Sequence, residues 1–303
     1  MILKRIVKGI RNPWLVVNYI LGQRITRIIP DETFVKLEYR ASIGRRLNLD
    51  SPQSFNEKLQ WLKLFDRKQE YTQLADKYKV RKYIKGTIGE EYLIPLLGVY
   101  DSYDEIDFEA LPNQFVLKPN HTSGDVYLCK DKSKIDYVEL KKTVKKWMEI
   151  EYYWIHREWP YKNIKPEIIC EKFMSETNIP PNDYKVVCFN GKARLVQVHM
   201  GRFTNHIQDT YDLEWNKIDM TWGFEISEHA TCKKPKKLEK MIELSEQLAV
   251  NMCQVRIDWF IVEDNLYFGE ITFFDGSGFT PIIPESYDYL LGSWINLPIE
   301  TNN

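Results

Sequence analysis

Two β-rich stretches near the carboxyl end, VRIDWFIV and LYFGEITFF, carry charged side chains at alternate positions. Side chains alternate between the two faces of a strand, so Arg256 shares a face with Asp258, and Glu270 shares one with Thr272. A three-residue turn at 263–265 would place Asp258 directly opposite Glu270 and Arg256 opposite Thr272. We therefore expect the four polar residues on one sheet face, with the apolar residues between them in the core.

Two carboxylates that face each other repel unless a cation lies between them. Mg²⁺ with nucleotide phosphates is a natural candidate, because this ion takes oxygen ligands and keeps some of its waters. Arg256 beside Asp258 and Glu270 could neutralise the charge of a reacting phosphoryl group. The alternative is an ordinary sheet face on which Arg256 pairs with both acids. Since neither acid belongs to the apolar face, we expect neutral substitutions of either to cost little stability.

Three further segments end apolar strands with residues that suit a nucleotide. FVLKPNHTSGDV places Lys118 at a strand end before a polar loop whose one glycine is Gly124, an arrangement that suits a phosphate. EIICEKFM runs into the step Glu171–Met174, whose backbone groups suit a base in an apolar slot. DYKVVCF puts Asp183 and Lys185 on one face, with the lysine within reach of a phosphate. Each segment also has an ordinary interpretation, as a strand-end lysine, an edge strand or a surface ion pair.

The elements that must position these residues begin with a helical region over residues 1–75. Ser54 and Glu57 have capping-box spacing, which predicts a helix start. Its buried stripe would be Leu59, Leu62 and Phe65. A further helix is expected from about Tyr71 through Arg81.

From residue 92 onward, short β-rich runs alternate with helical stretches. The predicted strands are Phe115–Lys118, Val126–Cys129, Ile168–Glu171, Tyr184–Phe189 and Leu195–His199. Asn190-Gly191 between the last two is a strong signal for a two-residue hairpin turn. This mixture over about 200 residues predicts an α+β or α/β enzyme core at 76–303.

Composition excludes several classes of protein. Of the 303 residues, 44 % are hydrophobic, which excludes a disordered chain, and no apolar run approaches the roughly eighteen residues of a spanning helix. Five scattered cysteines without a Cys-x-x-Cys pair indicate neither a zinc module nor a disulfide scaffold, and they favour a cytoplasmic protein. The net charge of −1 does not support nucleic-acid binding.

The first eleven residues, MILKRIVKGIR, have a basic amphipathic pattern. Five apolar residues lie on one helical face and four cations flank it. The pattern is typical of a helix in an anionic membrane interface, which would make the protein peripheral at the inner face of the cell membrane. A helix packed on its own domain, with a solvated basic edge, explains the pattern equally well.

In this order, the segments resemble an ATP-grasp enzyme, with Lys at FVLK, a hinge at CEKFM, Lys at DYK, Asp at RID and Glu at GEIT. The chain resembles in particular the TupA-like ATP-grasp family of bacterial polysaccharide clusters, from about Tyr39 to Leu297. The resemblance is carried by five segments: SFNEKLQWLKLFDR, DKYKVRKYI, IGEEYLIPLLGVYDS, REWPYKNIKP and GEITFFDGSGF. It implies an α+β ATP-grasp fold, with an ATP-binding subdomain at about 112–173 and a metal-site subdomain at about 174–303.

The resemblance also implies roles for individual residues. ATP would be held by Lys118, Ser123, Gly124, Lys185 and the hinge residues Glu171, Lys172, Phe173 and Met174. Mg²⁺ would be held by Asp258, Glu270 and Thr272. The catalytic residues at the reacting phosphoryl group would be Arg256 and Lys185. Two departures from the family pattern are Thr272, where many ATP-grasp enzymes have Asn, and a phosphate loop, NHTSGDV, with one glycine and an acidic Asp125.

For the second substrate, two segments combine aromatic and basic residues that suit a sugar face and a carboxylate. The candidate contacts are Arg157, Trp159, Tyr161, Arg202 and Asn205. The expected activity is that of an ATP-dependent carboxylate–amine ligase, which joins an amino acid or amine to a uronic-acid carboxylate of a bacterial surface polysaccharide or its precursor. The alternatives are a glycosyltransferase of the same pathway, although no Asp-x-Asp motif occurs, and an ATP-binding scaffold without turnover.

Overall fold

The computed structural model describes residues 21–175, 180–202, 205–228 and 232–298. The basic amphipathic pattern of residues 1–11 lies outside these ranges. Among the residues described, no helix combines the length and apolar character needed to cross a bilayer. The five cysteines are free thiols.

The described residues form eight α-helices joined by short 3-10 turns. The helices are α1 Asp31–Ile43, α2 Phe55–Phe65, α3 Glu70–Ala75, α4 Val80–Thr87, α5 Tyr137–Met148, α6 Tyr153–His156, α7 Leu238–Leu248 and α8 Glu285–Ser293.

Twelve strands in the same ranges form three antiparallel sheets. The small sheet has the order β1-β4-β2-β3, with β1 Leu96–Tyr100, β2 Phe115–Pro119, β3 Tyr127–Cys129 and β4 Ile168–Lys172. The large sheet has the order β11-β10-β5-β6-β7-β8, with β5 Asp183–Phe189, β6 Lys192–Met200, β7 Ile207–Tyr211, β8 Lys217–Ile218, β10 Gln254–Val262 and β11 Asn265–Thr272. The third sheet pairs β9 Thr221–Trp222 with β12 Ile282–Ile283.

The five strands predicted from the β-rich runs are present as β2 to β6, with ends shifted by at most a few residues. The turn between β5 and β6 has two residues, as predicted, and both Asn190 and Gly191 are left-handed, with φ of 49° and 77°. We expected the ATP-binding subdomain to begin at about residue 112. The small sheet also contains β1, which lies before that residue in the sequence.

Helix α2 begins at the predicted capping box. The Ser54 hydroxyl accepts a hydrogen bond from the Glu57 amide at 3.3 Å, and the Glu57 carboxylate accepts one from the Ser54 amide at 3.1 Å. Leu59 and Leu62 are buried as predicted, whereas Phe65 is 51 % exposed. The prediction for Phe65 was wrong because this last helical residue packs against Trp61 of its own helix, 5.3 Å between ring centroids, and not against the core.

The single helix expected from Tyr71 through Arg81 was also wrong, since α3 ends at Ala75 and α4 begins at Val80. Asp76 is fully buried between them, and its carboxylate accepts from the amides of Tyr78 (2.9 Å) and Lys79 (3.2 Å). A carboxylate that binds the amides of the turn leading into the next helix in this way ends the preceding one.

The two larger sheets have separate cores. The small sheet packs against α5, with Phe115, Leu117, Leu140 and Val144 buried together. The large sheet lies in the main core with α2, α3, α4 and α7, so Phe55 and Leu59 from the N-terminal helical region share a core with strands β5 and β10. A site between the two sheets is therefore bounded by two separate hydrophobic cores.

Candidate active site between the two sheets

A cleft lies between the small and the large sheet. Nine predicted site residues line it: Lys118, Gly124, Glu171, Lys172, Phe173, Met174, Arg202, Asp258 and Glu270. A wider groove at the surface beside α3 and α4 is lined by none of the predicted site residues. The chemistry that the sequence predicted is thus concentrated in the cleft between the sheets.

The hairpin that carries Asp258 and Glu270 closes with a two-residue turn, not the three-residue turn we expected. Glu263 and Asp264 are both left-handed, with φ of 51° and 60°, and Val262 pairs with Asn265. Left-handed residues at both central positions give a turn whose twist matches that of the strands it joins.

A β-bulge opposite Asp258 compensates for the shorter turn, so Arg256 still pairs with Thr272 as predicted. Two residues, Gly269 and Glu270, lie against the single Asp258. A Cβ at position 269 would lie 3.1 Å from the backbone oxygen of Asp258, so a larger residue there would need the neighbouring strand to shift by a few tenths of an ångström. The bulge therefore brings both carboxylates to the cleft.

Arg256 is the centre of a buried ion cluster on this face. Its Nε donates to Asp258 Oδ1 at 2.7 Å and its Nη2 to Asp258 Oδ2 at 2.9 Å. It also contacts Glu270 at 3.5 Å and donates to Thr272 Oγ1 at 3.2 Å, and it forms a short ion pair with Asp275. Burial lowers the pKa of Arg256, but the adjacent carboxylates outweigh it and raise the pKa above its usual value.

Asp258 has a second cationic partner, because its Oδ2 forms a short ion pair with Lys185 of β5. The residue is 4 % exposed. Burial raises the pKa of its carboxyl group, but Arg256 and Lys185 outweigh burial, and the pKa lies below its ordinary value. The structure thus supplies two fixed cations where the sequence suggested that two carboxylates would repel each other.

Glu270 is less tightly held than Asp258. Its side chain is 27 % exposed, and its Oε2 lies 3.7 Å from the ammonium of Lys77, between α3 and α4. Its Oε1 accepts from Thr272 Oγ1 at 3.2 Å. Burial raises the pKa of Glu270, but Lys77 is the leading cation that lowers it below the ordinary value.

The small sheet contributes a simpler ion cluster. Glu171 of β4 is 5 % exposed and accepts from two cations, Lys118 Nζ at 2.8 Å and Arg81 Nη1 at 3.3 Å. Arg81 also donates to the carbonyl of Ile94 at 2.9 Å, which fixes its guanidinium. Lys118 therefore has a carboxylate partner in the cleft.

The predicted hinge divides into two parts. Glu171 and Lys172 belong to β4 and pair with β2, and the Lys172 amide also donates to the carbonyl of Pro95 at 2.9 Å. Phe173 and Met174 follow the last residue of the strand and line the cleft. Of the four predicted hinge residues, Phe173 and Met174 are therefore the two that lie beyond the paired strand.

Three predicted site residues do not line the cleft but contact the carboxylates that do. Lys185 and Arg256 contact Asp258, and Thr272 contacts Glu270. Ser123, in the predicted phosphate loop, is an exposed neighbour of Gly124 and lies next to Tyr152. Asp125 of that loop lines the cleft. The predicted acidic residue in the phosphate loop is therefore a real feature of this site.

The predicted substrate contact of Arg157 is wrong. This residue is completely buried, and its guanidinium stacks 4.2 Å from the ring of Phe34 and 4.5 Å from that of Trp154. Its Nη2 donates to the carbonyl of Thr26 at 3.0 Å. An aromatic-basic motif marks packing here, because an arginine that stacks between rings satisfies the same pattern as a ligand site.

The remaining substrate candidates are divided. Trp159 and Tyr161 are half-buried against the main core, and Tyr161 is close enough for Arg256 to influence its pKa. Arg202 lines the cleft, 43 % exposed, and pairs with Asp183 at 3.1 Å. Asn205 lies beside a separate shallow depression.

Two residues of the site were missed by sequence reasoning. Lys77 was assigned only to a helix, and the break after Ala75 that directs it to Glu270 depends on Asp76. Asp275 lies in the segment FFDGSGF, which the family resemblance covered. Nothing in that local sequence predicts the ion pair of Asp275 with Arg256.

The carboxylates fit Mg²⁺ bound together with a nucleotide. No group of three His, Cys, Asp or Glu side chains suited to a metal was found in the part of the chain that the structure describes. Mg²⁺ commonly takes one or two protein carboxylates, with substrate phosphates and waters completing its shell. Asp258 and Glu270 provide such a pair, with Thr272 hydrogen-bonded to Glu270 beside them.

Comparison with known families agrees with this arrangement. The fold is that of an ATP-grasp enzyme, a class that uses ATP with Mg²⁺. The profile of the TupA-like ATPgrasp family matches residues 57–296, and the chain belongs to this family. The predicted family and fold are confirmed.

Solved structures with distant similarity include three ligases. The D-alanine–D-alanine ligase from Bacillus anthracis complexed with ATP is 16 % identical, with a TM-score of 0.39, and the match covers 73 % of this chain and 57 % of that one. The D-alanine–D-alanine ligase from Helicobacter pylori is 14 % identical over 81 % and 67 % of the two chains, TM-score 0.43. The L-amino acid ligase from Bacillus licheniformis is 12 % identical over 82 % and 55 %, TM-score 0.43. These likenesses are too distant to bear on function, and no curated protein sequence matches the chain.

Proposed function

We propose that this protein is an ATP-dependent carboxylate–amine ligase. A substrate carboxylate would take the γ-phosphoryl group of ATP, giving an acylphosphate and ADP. An amine would then attack the acyl carbon, phosphate would leave, and the nitrogen would lose a proton as the amide forms. The observation that carries the proposal is the pair of charged sets across one cleft, Lys118 with Glu171 on one sheet and Arg256 with Asp258 and Glu270 on the other.

The small sheet would bind the nucleotide. Phe173 and Met174 lie past the end of β4, where an adenine could take backbone hydrogen bonds in an apolar slot lined by Val116 and Leu128. Lys118 would exchange Glu171 for a phosphate, and Glu171 would keep Arg81 as its partner. This exchange costs little because the carboxylate stays paired.

The large sheet would stabilise the reacting phosphoryl group. Asp258 and Glu270 would hold Mg²⁺, which would supply positive charge at the reacting phosphoryl group. Arg256 and Lys185 keep Asp258 ionised and fixed in position, so the charged groups are preorganised before a substrate arrives. In this chemistry the protein mainly positions reactants and stabilises phosphoryl charge, so no general base is required of a particular side chain.

We further propose that the carboxylate belongs to a uronic acid of a surface polysaccharide or its precursor, and that the amine is an amino acid or a related amine. Arg202 supports a carboxylate substrate, because its guanidinium is 43 % exposed at the same cleft as Asp258. The resemblance to a family of polysaccharide clusters supports the uronic acid. No feature of the cleft favours the glycosyltransferase alternative.

The function is tested by ADP release. Purified protein is incubated with Mg²⁺, ATP, one uronic acid (glucuronate or galacturonate) and each amino acid in turn. We expect ADP to appear only when both a carboxylate and an amine are present, with an amide product of the matching mass. ADP release without dependence on either partner would contradict the ligase proposal. A thermal shift with a UDP-sugar and none with Mg·ATP would instead favour a glycosyltransferase.

We also propose that residues 1–11 attach the protein to an anionic membrane surface. Their basic amphipathic sequence supports binding that weakens with added salt. Sedimentation with vesicles containing phosphatidylserine compares the full chain with one lacking residues 1–11. Loss of sedimentation in the shortened chain, with Mg·ATP binding unchanged, is the expected result, and equal sedimentation would contradict the proposal.

A further inference from the structure

The turn that carries Asp275 has an unusual backbone. In the segment Asp275–Gly278, three successive residues are left-handed, with φ of 53° at Gly276, 56° at Ser277 and 65° at Gly278. Residues with a side chain rarely adopt this conformation, and they persist in it where the surroundings impose it. The turn is therefore held from outside.

Two polar residues of helix α2 hold this turn. Gln60 donates from Nε2 to the carbonyls of Ser277 (3.1 Å) and Gly278 (2.7 Å), and Lys63 donates from Nζ to the Ser277 carbonyl at 2.6 Å. Both side chains are 0 % exposed. A Cβ at position 278 would clash with the Gln60 amide, so the helix and the turn are in close contact.

The 275–278 turn also fixes Arg256, the central arginine of the ion cluster. Asp275 forms its short ion pair with Arg256, and its other oxygen accepts from Gln197 Nε2 at 3.2 Å. A continuous series of polar contacts thus runs from α2 through the turn to Arg256, and from there to Asp258.

The ammonium of Lys63 lies in the core. Burial lowers its pKa to about 8, and the nearby carboxylates of Glu158 and Glu38 do not compensate for it. Its Nζ also donates to the His156 carbonyl at 3.2 Å and lies 4.2 Å from the centre of the Phe279 ring. Hydrogen bonds and an aromatic ring therefore fix the ammonium beside the turn.

We propose that Gln60 and Lys63 are positioning residues, which hold the 275–278 turn so that Asp275 fixes Arg256 against Asp258. The inference rests on the proposed ligase function for its kinetic test. It assigns a role in catalysis to a helix that lies outside both sheets of the cleft.

The first test compares two lysines of the same helix. Lys63→Met should lower kcat for ADP release about tenfold to a hundredfold, since small misplacements at a reacting centre have effects of this size. Its KM for ATP should rise severalfold at most, less than kcat falls, because the hinge is on the other sheet. Lys58→Met is the matched control: Lys58 Nζ donates to the Ile295 carbonyl at 2.8 Å, away from the turn, and its loss should leave kcat within about twofold. Equal losses in both variants would overturn the proposal.

The second test asks whether Lys63 acts through Asp275. If it does, kcat of the Lys63→Met/Asp275→Asn double variant should equal that of Asp275→Asn alone, measured well below the melting temperatures. Independent, multiplying losses would mean that Lys63 has only a structural role. If Lys63→Met does not fold, Gln60→Met replaces it, because it removes two donors to the same turn without touching a charge.

A third readout does not depend on turnover. The factor by which Mg²⁺ raises the affinity for ATP, measured by titration calorimetry, should fall severalfold in Lys63→Met and stay unchanged in Lys58→Met. If the wild type binds Mg·ATP but never releases ADP with a uronic acid and an amine, the ligase function fails while this readout still tests the positioning role. An unchanged Mg²⁺ effect in Lys63→Met would overturn that role.

Discussion

The two sheets that face the cleft hold their charges in different ways. On the large sheet, Arg256 contacts three carboxylates and Asp258 has two cations, so the cluster is fixed before any ligand binds. On the small sheet, Glu171 pairs with Lys118 and Arg81, whose side chains are each 16 % exposed. The large sheet therefore suits stabilisation of reacting charge, and the small sheet suits the exchange of partners that nucleotide binding requires.

The largest expected effect is on stability at the large sheet. Asp258→Asn should lower the free energy of unfolding by about 3–5 kcal/mol, because it leaves two buried cations with a neutral partner. Urea unfolding at pH 7 measures it, with Asp104→Asn as the control, since the ion pair of Asp104 with Lys141 is exposed to solvent and its loss should leave stability nearly unchanged. The structure here reverses our sequence-based expectation of little cost, and similar losses in both variants would restore it.

Glu270 should behave differently from Asp258 although it shares the proposed metal. Glu270→Gln should fold with nearly unchanged stability, because its partners lie at 3.5 and 3.7 Å and its side chain is partly exposed. ADP release should fall at least about a hundredfold, since a charged ligand for the phosphoryl site is lost. Glu263→Gln, in the exposed turn of the same hairpin, is the control. A normal rate in Glu270→Gln would remove the proposed metal site.

At the small sheet we expect an effect on nucleotide binding. Mg·ATP at a hundredfold excess over its Kd should stabilise the wild type by about 2.7 kcal/mol. Lys118→Ala should lose most of this thermal shift and keep its melting temperature without ATP, because Glu171 retains Arg81. Lys134→Ala, at an exposed turn, should keep the full shift. A full shift in Lys118→Ala would exclude this lysine from the phosphate site.

How far the sequence predicted this site depends on the range of the interactions involved. Alternation along single strands correctly placed Arg256 and Asp258 on one face, and the capping box of Ser54 and Glu57 gave the start of α2, because both are local patterns. The pairing of Arg256 with Thr272 agrees with the prediction only because a bulge offsets the shorter turn. The bulge at Gly269 could not be predicted, since it arises from the approach of one strand's backbone to another.

The contributions of other elements to the site were equally hidden in the sequence. Lys77 reaches Glu270 because Asp76 breaks a helix, and Asp275 reaches Arg256 because Gln60 and Lys63 hold a turn more than two hundred residues away in sequence. Such contacts depend on packing between elements, which a single sequence does not specify. The same limit explains why a dense aromatic-basic motif wrongly suggested a substrate contact at Arg157.

The smallest expected effect is a pH dependence of stability that separates Lys63 from Asp258. The pKa of Lys63 is about 8 in the fold and 10.5 as its ordinary value. Below pH 8 both native and unfolded chains carry the proton. Between pH 8 and 10.5 the unfolded chain binds more protons, so the stability of the wild type should rise with pH relative to Lys63→Met.

The expected relative gain is about 1 kcal/mol between pH 8 and 9, from urea unfolding of both proteins at each pH. The titrations of tyrosines and cysteines cancel in this difference, because both proteins contain them. Parallel stability curves would mean that Lys63 keeps an ordinary pKa and that the fold does not disfavour its charge. A rising difference would identify a lysine retained against the stability of the fold, in contrast to Asp258, whose charge the same fold requires.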